Sequence, residues 1–149
     1  SGRRSAAELA EQLSLSEEAV AGQIADWEAD GTILGYQAVV DAARQGSGTV
    51  SAFIEVKVTP ERGGGFDHLA ERIAKFDQVA SCYLLSGSYD LLLVVEGADL
   101  MEVANFVSGK LSSMEGVLST ATCFRLKTYK ENGFGYVRSD DPDRLPVSP

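Results

Sequence analysis

Apolar and polar positions follow two different rhythms along this chain, and the change from one to the other divides it. Near the N-terminus Leu9 and Leu13 lie four residues apart, the spacing that places side chains on one helix face. Ser5 and Glu8 form an S-x-x-E capping box ahead of them, in which hydroxyl and carboxylate each satisfy an N–H left unpaired at a helix start. A second helix is expected after Ser16, which is placed to cap it, with Glu17 and Glu18 in its first turn. Val20, Ile24 and Trp27 make its buried stripe and Gly31 stops it. Ser14-Leu15-Ser16 is then a tight corner between two helices. Such a pair is either a helix-turn-helix, whose second helix enters a major groove, or a plain αα-hairpin. A third helix usually closes so small a core. None precedes Ser5, so the expectation is that a first helix is missing from the chain or that a partner completes the core.

The second rhythm has period two. TILGYQAVVD, after Gly31, reads as a short strand pair or an arm, and AARQGSGT, residues 42–49, as a linker. From there Val50, Ala52, Ile54, Val56 and Val58 alternate with Ser51, Phe53, Glu55 and Lys57, a strand with one buried face. Pro60 ends it, and Gly63-Gly64-Gly65 leads to a helix with apolar Phe66, Leu69, Ala70, Ile73 and Phe76. Val79 to Gly97 reads as two buried strands joined by a Gly-centred turn, Ser86 to Tyr89, with Asp90 opening the second strand. A second amphipathic helix carries Leu100, Val103, Ala104, Val107 and Leu111, and a last strand runs from about Val117 to Tyr129.

The order β-α-β-β-α-β predicts an α+β protein: a helix-turn-helix followed by a ferredoxin-like module of four antiparallel strands with both helices on one face. The other face is left open, with Phe53 and Tyr83 expected on it. An apolar open face must be covered, most cheaply by a second copy. The expected boundaries are 1–41 for the helix-turn-helix, 42–49 for the linker, 50–130 for the ferredoxin-like domain and 131–149 for a polar C-terminal arm.

Composition narrows the function. No apolar run is long enough to span a bilayer and no secretory signal opens the chain, so the expected setting is the cytoplasm, away from membranes. Cys82 and Cys123 lie inside strand patterns without a Cys or His at metal-ligand spacing, which predicts buried reduced thiols and neither a disulfide nor a metal site. No nucleophile elbow or phosphate loop is found; the Gly63–Gly65 run lacks the Lys and Ser/Thr such a loop needs. His68, the one histidine of the chain, falls on the solvated side of its helix. No catalytic residue and no cofactor is therefore expected. Net charge is −9, and residues 1–45 hold three basic groups against eight acidic ones, or −5. Any DNA contact must be local, weak, or shared among subunits.

From Arg4 to about Lys130 the sequence resembles the Lrp/AsnC, or feast/famine, family of transcriptional regulators. The resemblance is carried by SAAELAEQLSLSEEAV with IADWEADGTILGYQAVVD, then SAFIEVKV, CYLLSGSYDLLLVV and STATCFRLKTYK, in order and at matching spacing. It implies a helix-turn-helix that binds double-stranded DNA, a ligand-sensing βαββαβ domain, homodimers that assemble further into octamer-like rings, and an effector that is usually an amino acid. It further implies that Ser86, Gly87, Ser88, Tyr89 and Asp90, with the last strand, form much of the effector pocket between dimers. Gly87 and Ser88 would hold the effector carboxylate through N–H groups, Asp90 would face its ammonium, and Thr120 and Thr122 would supply polar edges. Read without the family, Asp90 serves equally well as a cap on its hairpin, and the threonines simply suit a strand.

The chain departs from the family in its second helix. No Arg or Lys follows the cap, so no guanidinium is available for guanine. Gln23 could read adenine, and Arg3, Arg4, Ser14 and Ser16 could meet phosphates, against repulsion from nearby carboxylates. Two other readings stand beside the regulator: an oligomeric small-molecule sensor or assembly protein whose helix-turn-helix has lost DNA affinity, and an enzyme on the same architecture, as the siroheme decarboxylases are. The ordinary GYQAVVD junction and a lone histidine weigh against the enzyme.

Overall fold

The computed structural model describes residues 4–41, 46, 48–60 and 65–136. Arg3, most of the linker (42–45 and 47), residues 61–64 with Gly63 and Gly64, and the tail from 137 onward lie outside the described residues. The chain divides into two compact units, Ser1–Val39 and Val40–Pro149.

In the first unit, α1 spans Ala6–Leu13 and α2 spans Glu17–Ala29. The capping box forms as its residues dictate: Glu8 N–H donates to Ser5 Oγ at 3.2 Å, and Ser5 N–H donates to Glu8 Oε2 at 2.7 Å. Ser14 turns the corner in the left-handed region, at φ 56° and ψ 41°. Ser16 Oγ then accepts from Ala19 N–H at 3.2 Å and starts α2. The expected stripe on α2 is only partly buried: Val20 is covered, Ile24 half-covered, and Trp27 is 42% exposed. Two helices cannot enclose a core by themselves, and Ala10 and Val20 are the buried apolar residues here. The segment after α2 forms no strand pair. It runs as an arm, tied back where the Tyr36 hydroxyl donates to Glu28 Oε1 at 2.8 Å.

The second unit is built on β1 (Val50–Val58), α3 (Asp67–Ala74), β2 (Val79–Leu84), β3 (Leu91–Gly97), α4 (Leu100–Phe106) and β4 (Val117–Phe124). The sheet order is β2-β3-β1-β4 with every pairing antiparallel, the ferredoxin-like topology. Even-numbered β1 residues and their partners Leu91, Leu93 and Val95 face the helices, joined there by Leu69, Ile73, Val103, Phe106 and Leu111. Gly97 closes β3 because α4 starts against it: a Cβ there would stand 3.1 Å from Val103 Cγ2 and 3.3 Å from Glu102 Oε2.

Three expectations need correction. The apolar stripe of α4 is Val103 and Phe106, with Leu100 and Ala104 exposed, and a π-helical turn, Val107–Leu111, swings Leu111 back into the core. A π turn carries an extra residue, which a 3.6-residue period misplaces. The last strand stops at Phe124 rather than near Tyr129. Beyond it the chain makes a small hairpin, β5 (Lys130–Glu131) and β6 (Phe134–Gly135), turned by Asn132 at φ 47° and Gly133 at φ 85°. Asn-Gly with both φ positive is the two-residue turn that matches strand twist. Lastly, Cys123 is exposed, because its partner Phe53 lies on the face away from the helices; Cys82, opposite Leu93, is half-buried under α3.

Candidate functional site

The open face of the sheet is set by register. Phe53 pairs with Val94 and Cys123, Glu55 with Leu92 and Ala121, and Tyr83 with Leu92. Phe53 and Tyr83 are exposed there, as the alternation predicts. At the end of this sheet Leu85 to Asp90 forms the β2–β3 loop, closed where Leu85 N–H donates to the Asp90 carbonyl at 2.8 Å. Ser86, Gly87 and Ser88 are exposed, and Tyr89 and Asp90 half-buried.

Gly87 has no conformational reason to be glycine in this chain. Its φ is not positive, and a Cβ would meet nothing within 4 Å. A bare Cα on an exposed loop lets another molecule approach the backbone closely. Asp90 is held three ways. Its N–H donates to the Val56 carbonyl at 3.0 Å, its carbonyl accepts from Leu85, and its carboxylate Oδ2 accepts from Val58 N–H at 2.8 Å. That last bond meets the end of β1 where the β1–β4 register shifts, between Lys57 and Val58. The carboxylate thus caps the strand end, and among the described residues Oδ1 has no partner.

Thr120 and Thr122 pair with Val56 and Ile54, which puts them on the helix-side face of the edge strand β4, half-buried. Neither helix packs extensively there; α3 lies on β2 and α4 on β3 and β1. Thr120 and the start of β3 flank β1 on opposite sides, about 10 Å apart at the usual strand spacing. One chain therefore brings Ser86, Gly87, Ser88, Tyr89 and Asp90 together and leaves the two threonines apart from them.

In the first unit, Ser14 and Ser16 sit at the corner and at the N-terminus of α2, and Gln23 is exposed further along that helix. Glu17 and Glu18 are exposed beside them. The Arg4 guanidinium donates to the Gln12 side-chain oxygen. Asp30 accepts from Thr32 N–H at 2.8 Å, and the Thr32 hydrogen bonds hold its carboxyl below the usual carboxylate value. His68 lies exposed on α3. No group of three or more His, Cys, Asp or Glu among the described residues is placed to hold a metal ion. No helix among them is long and apolar enough to cross a membrane.

Periodicity missed a polar chain at the other end of the sheet. Arg125 donates through Nη2 to Ser51 Oγ at 2.7 Å and through Nη1 to Glu131 Oε1 at 3.0 Å. The Tyr136 hydroxyl lies 3.2 Å from Glu131 Oε2 and 3.5 Å from the Val40 carbonyl. Partial desolvation first, then Glu131 and Asp41, raise Tyr136 above the ordinary phenol value, with Arg125 opposing. The Asn132-Gly133 pair was the available signal, since it sets the hairpin that brings Glu131 and Tyr136 together.

The chain thus joins a capped helix pair to a ferredoxin-like module with an exposed β2–β3 loop. Residues 51–133 match the Lrp/AsnC ligand binding domain. Over 123 residues the chain is 48% identical to the HTH-type transcriptional regulator YugG of Bacillus subtilis, covering 82% of this chain and 74% of that protein. It is 32% identical to the Bkd operon transcriptional regulator of Pseudomonas aeruginosa, covering 85% of this chain and 82% of that one. Among solved structures, a transcriptional regulator of Neisseria meningitidis in complex with L-Met aligns with a TM-score of 0.66 at 26% identity, covering 89% of this chain and 86% of that one. The chain belongs to the Lrp/AsnC family of transcriptional regulators.

Proposed function

We propose that this regulator senses an amino acid at the Leu85–Asp90 loop and answers by changing its hold on DNA. The observation that carries this is the loop itself: two exposed serines flank a glycine that the fold does not require, next to a carboxylate with one oxygen open among the described residues. A zwitterion needs N–H donors for its carboxylate and an acceptor for its ammonium in close reach. Gly87 and Ser88 supply the first and Asp90 Oδ1 the second. The L-Met complex of the Neisseria regulator supports this class of effector. Thr120 and Thr122 join the site from a second copy, since one chain keeps them about two strand spacings from its own loop. A different copy covers the open face around Phe53 and Tyr83, because the threonines lie on the opposite, helix-side face of β4; the two contacts together give a homodimer and higher assemblies that work in the cytoplasm.

DNA meets the N-terminus of α2, with Ser14, Ser16 and Gln23 as contacts and Arg3 and Arg4 near phosphates. Arg4 must leave Gln12 to do so. Exposed Glu17 and Glu18 favour a second reading, a sensor of the same architecture with little DNA affinity. Titration calorimetry of the whole chain with the twenty amino acids tests the proposal, followed by anisotropy on the DNA upstream of its own gene with the best ligand. Binding that shifts the DNA curve supports it; an amino acid that binds without any DNA binding at low salt selects the sensor reading. No heat from any amino acid overturns the effector assignment.

A further inference from the structure

The Arg125 network ends on a residue that has no part in the effector loop: Val40, the first residue of the second unit. Ser51, 3% exposed, is the buried polar residue among those described, and both its groups are taken by Arg125, its carbonyl by Arg125 N–H at 2.9 Å and its hydroxyl by the guanidinium. The guanidinium fixes Glu131, and Tyr136 N–H donates to the Tyr129 carbonyl at 2.9 Å, closing the hairpin behind it. The Tyr136 main chain is therefore held in the hairpin, with its hydroxyl within reach of two acceptors. That hydroxyl has one proton and two acceptors. Glu131 Oε2 at 3.2 Å and the Val40 carbonyl at 3.5 Å compete for it.

We propose that the C-terminal hairpin is a latch on the root of the second unit, in which the Tyr136 hydroxyl fastens the Val40 carbonyl or releases it to Glu131. Every covalent path from the sheet toward the helix pair runs through Val40. A displacement of the head of β1 against the end of β4 pulls on Arg125, then on Glu131, and so changes which acceptor the hydroxyl serves. Tyr136 is a positioning residue in this scheme and touches no effector.

Carbonyl NMR on the isotope-labelled full chain, without ligand, tests it. In Tyr136→Phe the Val40 carbonyl-carbon resonance should move upfield, as a carbonyl does when it loses a hydrogen bond, while the carbonyls of β1 and β3 keep their parent positions. Tyr129→Phe is the matched control, because that hydroxyl on the same hairpin has no partner among the described residues; it should leave the Val40 carbonyl unchanged. A parent-like Val40 resonance in Tyr136→Phe, or an equal shift in Tyr129→Phe, overturns the latch. This outcome is independent of whether any amino acid binds.

Discussion

The Asp90 carboxylate accepts the Val58 N–H at 2.8 Å, joining residues 32 apart in sequence. It lies just past Val56 and Leu91, the end of the β1–β3 pairing, so the side chain that opens β3 also finishes β1. With the proposed effector contact one carboxylate would serve fold and ligand together, and the two roles separate by substitution. Asp90→Asn keeps an acceptor oxygen for Val58 and removes the charge. Asp90→Ala removes both and leaves a half-buried N–H unpaired. Urea unfolding should show Asp90→Ala destabilised by about 1–3 kcal/mol and Asp90→Asn by less. In calorimetry both should weaken effector binding by an amount on the order of 2 to 5 kcal/mol. Full affinity in Asp90→Asn would confine Asp90 to the fold.

Two glycines should respond oppositely. Gly97→Ala forces a Cβ to 3.1 Å from Val103 Cγ2, and overpacking of this kind costs about 1–3 kcal/mol. Gly87→Ala meets open space and should melt with the parent, yet bind the effector more weakly because its methyl group would stand where the ligand is proposed to approach. A thermal melt and a titration of each variant decide this.

The cysteines report on the two sheet faces. Burial pushes the Cys82 thiol up, so less reactive thiolate is present at a given pH. Cys82 should therefore resist iodoacetamide at neutral pH at every protein concentration. Cys123, exposed on the open face, should react quickly in dilute protein and slowly in concentrated protein as a second copy covers it. A Cys123 rate independent of concentration, with a monomer in sedimentation, would contradict the covered face.

Replacing Glu17 and Glu18 together by Gln should tighten DNA binding across many sequences, because both carboxylates are exposed at the helix end proposed to meet phosphate. Salt titrations of both proteins measure it. Equal affinity would place α2 away from the DNA backbone.

The ferredoxin-like core was legible because its residues obey single-period rules. Ala52, Ile54, Val56 and Val58 alternate and are buried as read; Ser5 with Glu8, and Ser16, cap as their types require. Legibility failed where a second interaction overrode the period. The π turn at Val107–Leu111 displaced the stripe of α4, and Trp27 lacks the neighbours that would bury it. The bond from Asp90 to Val58 and the contact of Tyr136 with Val40 span 32 and 96 residues, beyond any local pattern. The hairpin at Asn132-Gly133 was within reach, since that dipeptide states its turn.

Effector sensing at the Leu85–Asp90 loop is most directly tested by hydrogen exchange of the whole chain with and without a saturating amino acid. A ligand held by the Gly87 and Ser88 N–H groups should slow exchange in peptides covering 85–90 more than in any other exposed segment. Protection confined to other segments at saturation, with 85–90 unchanged, would contradict the site.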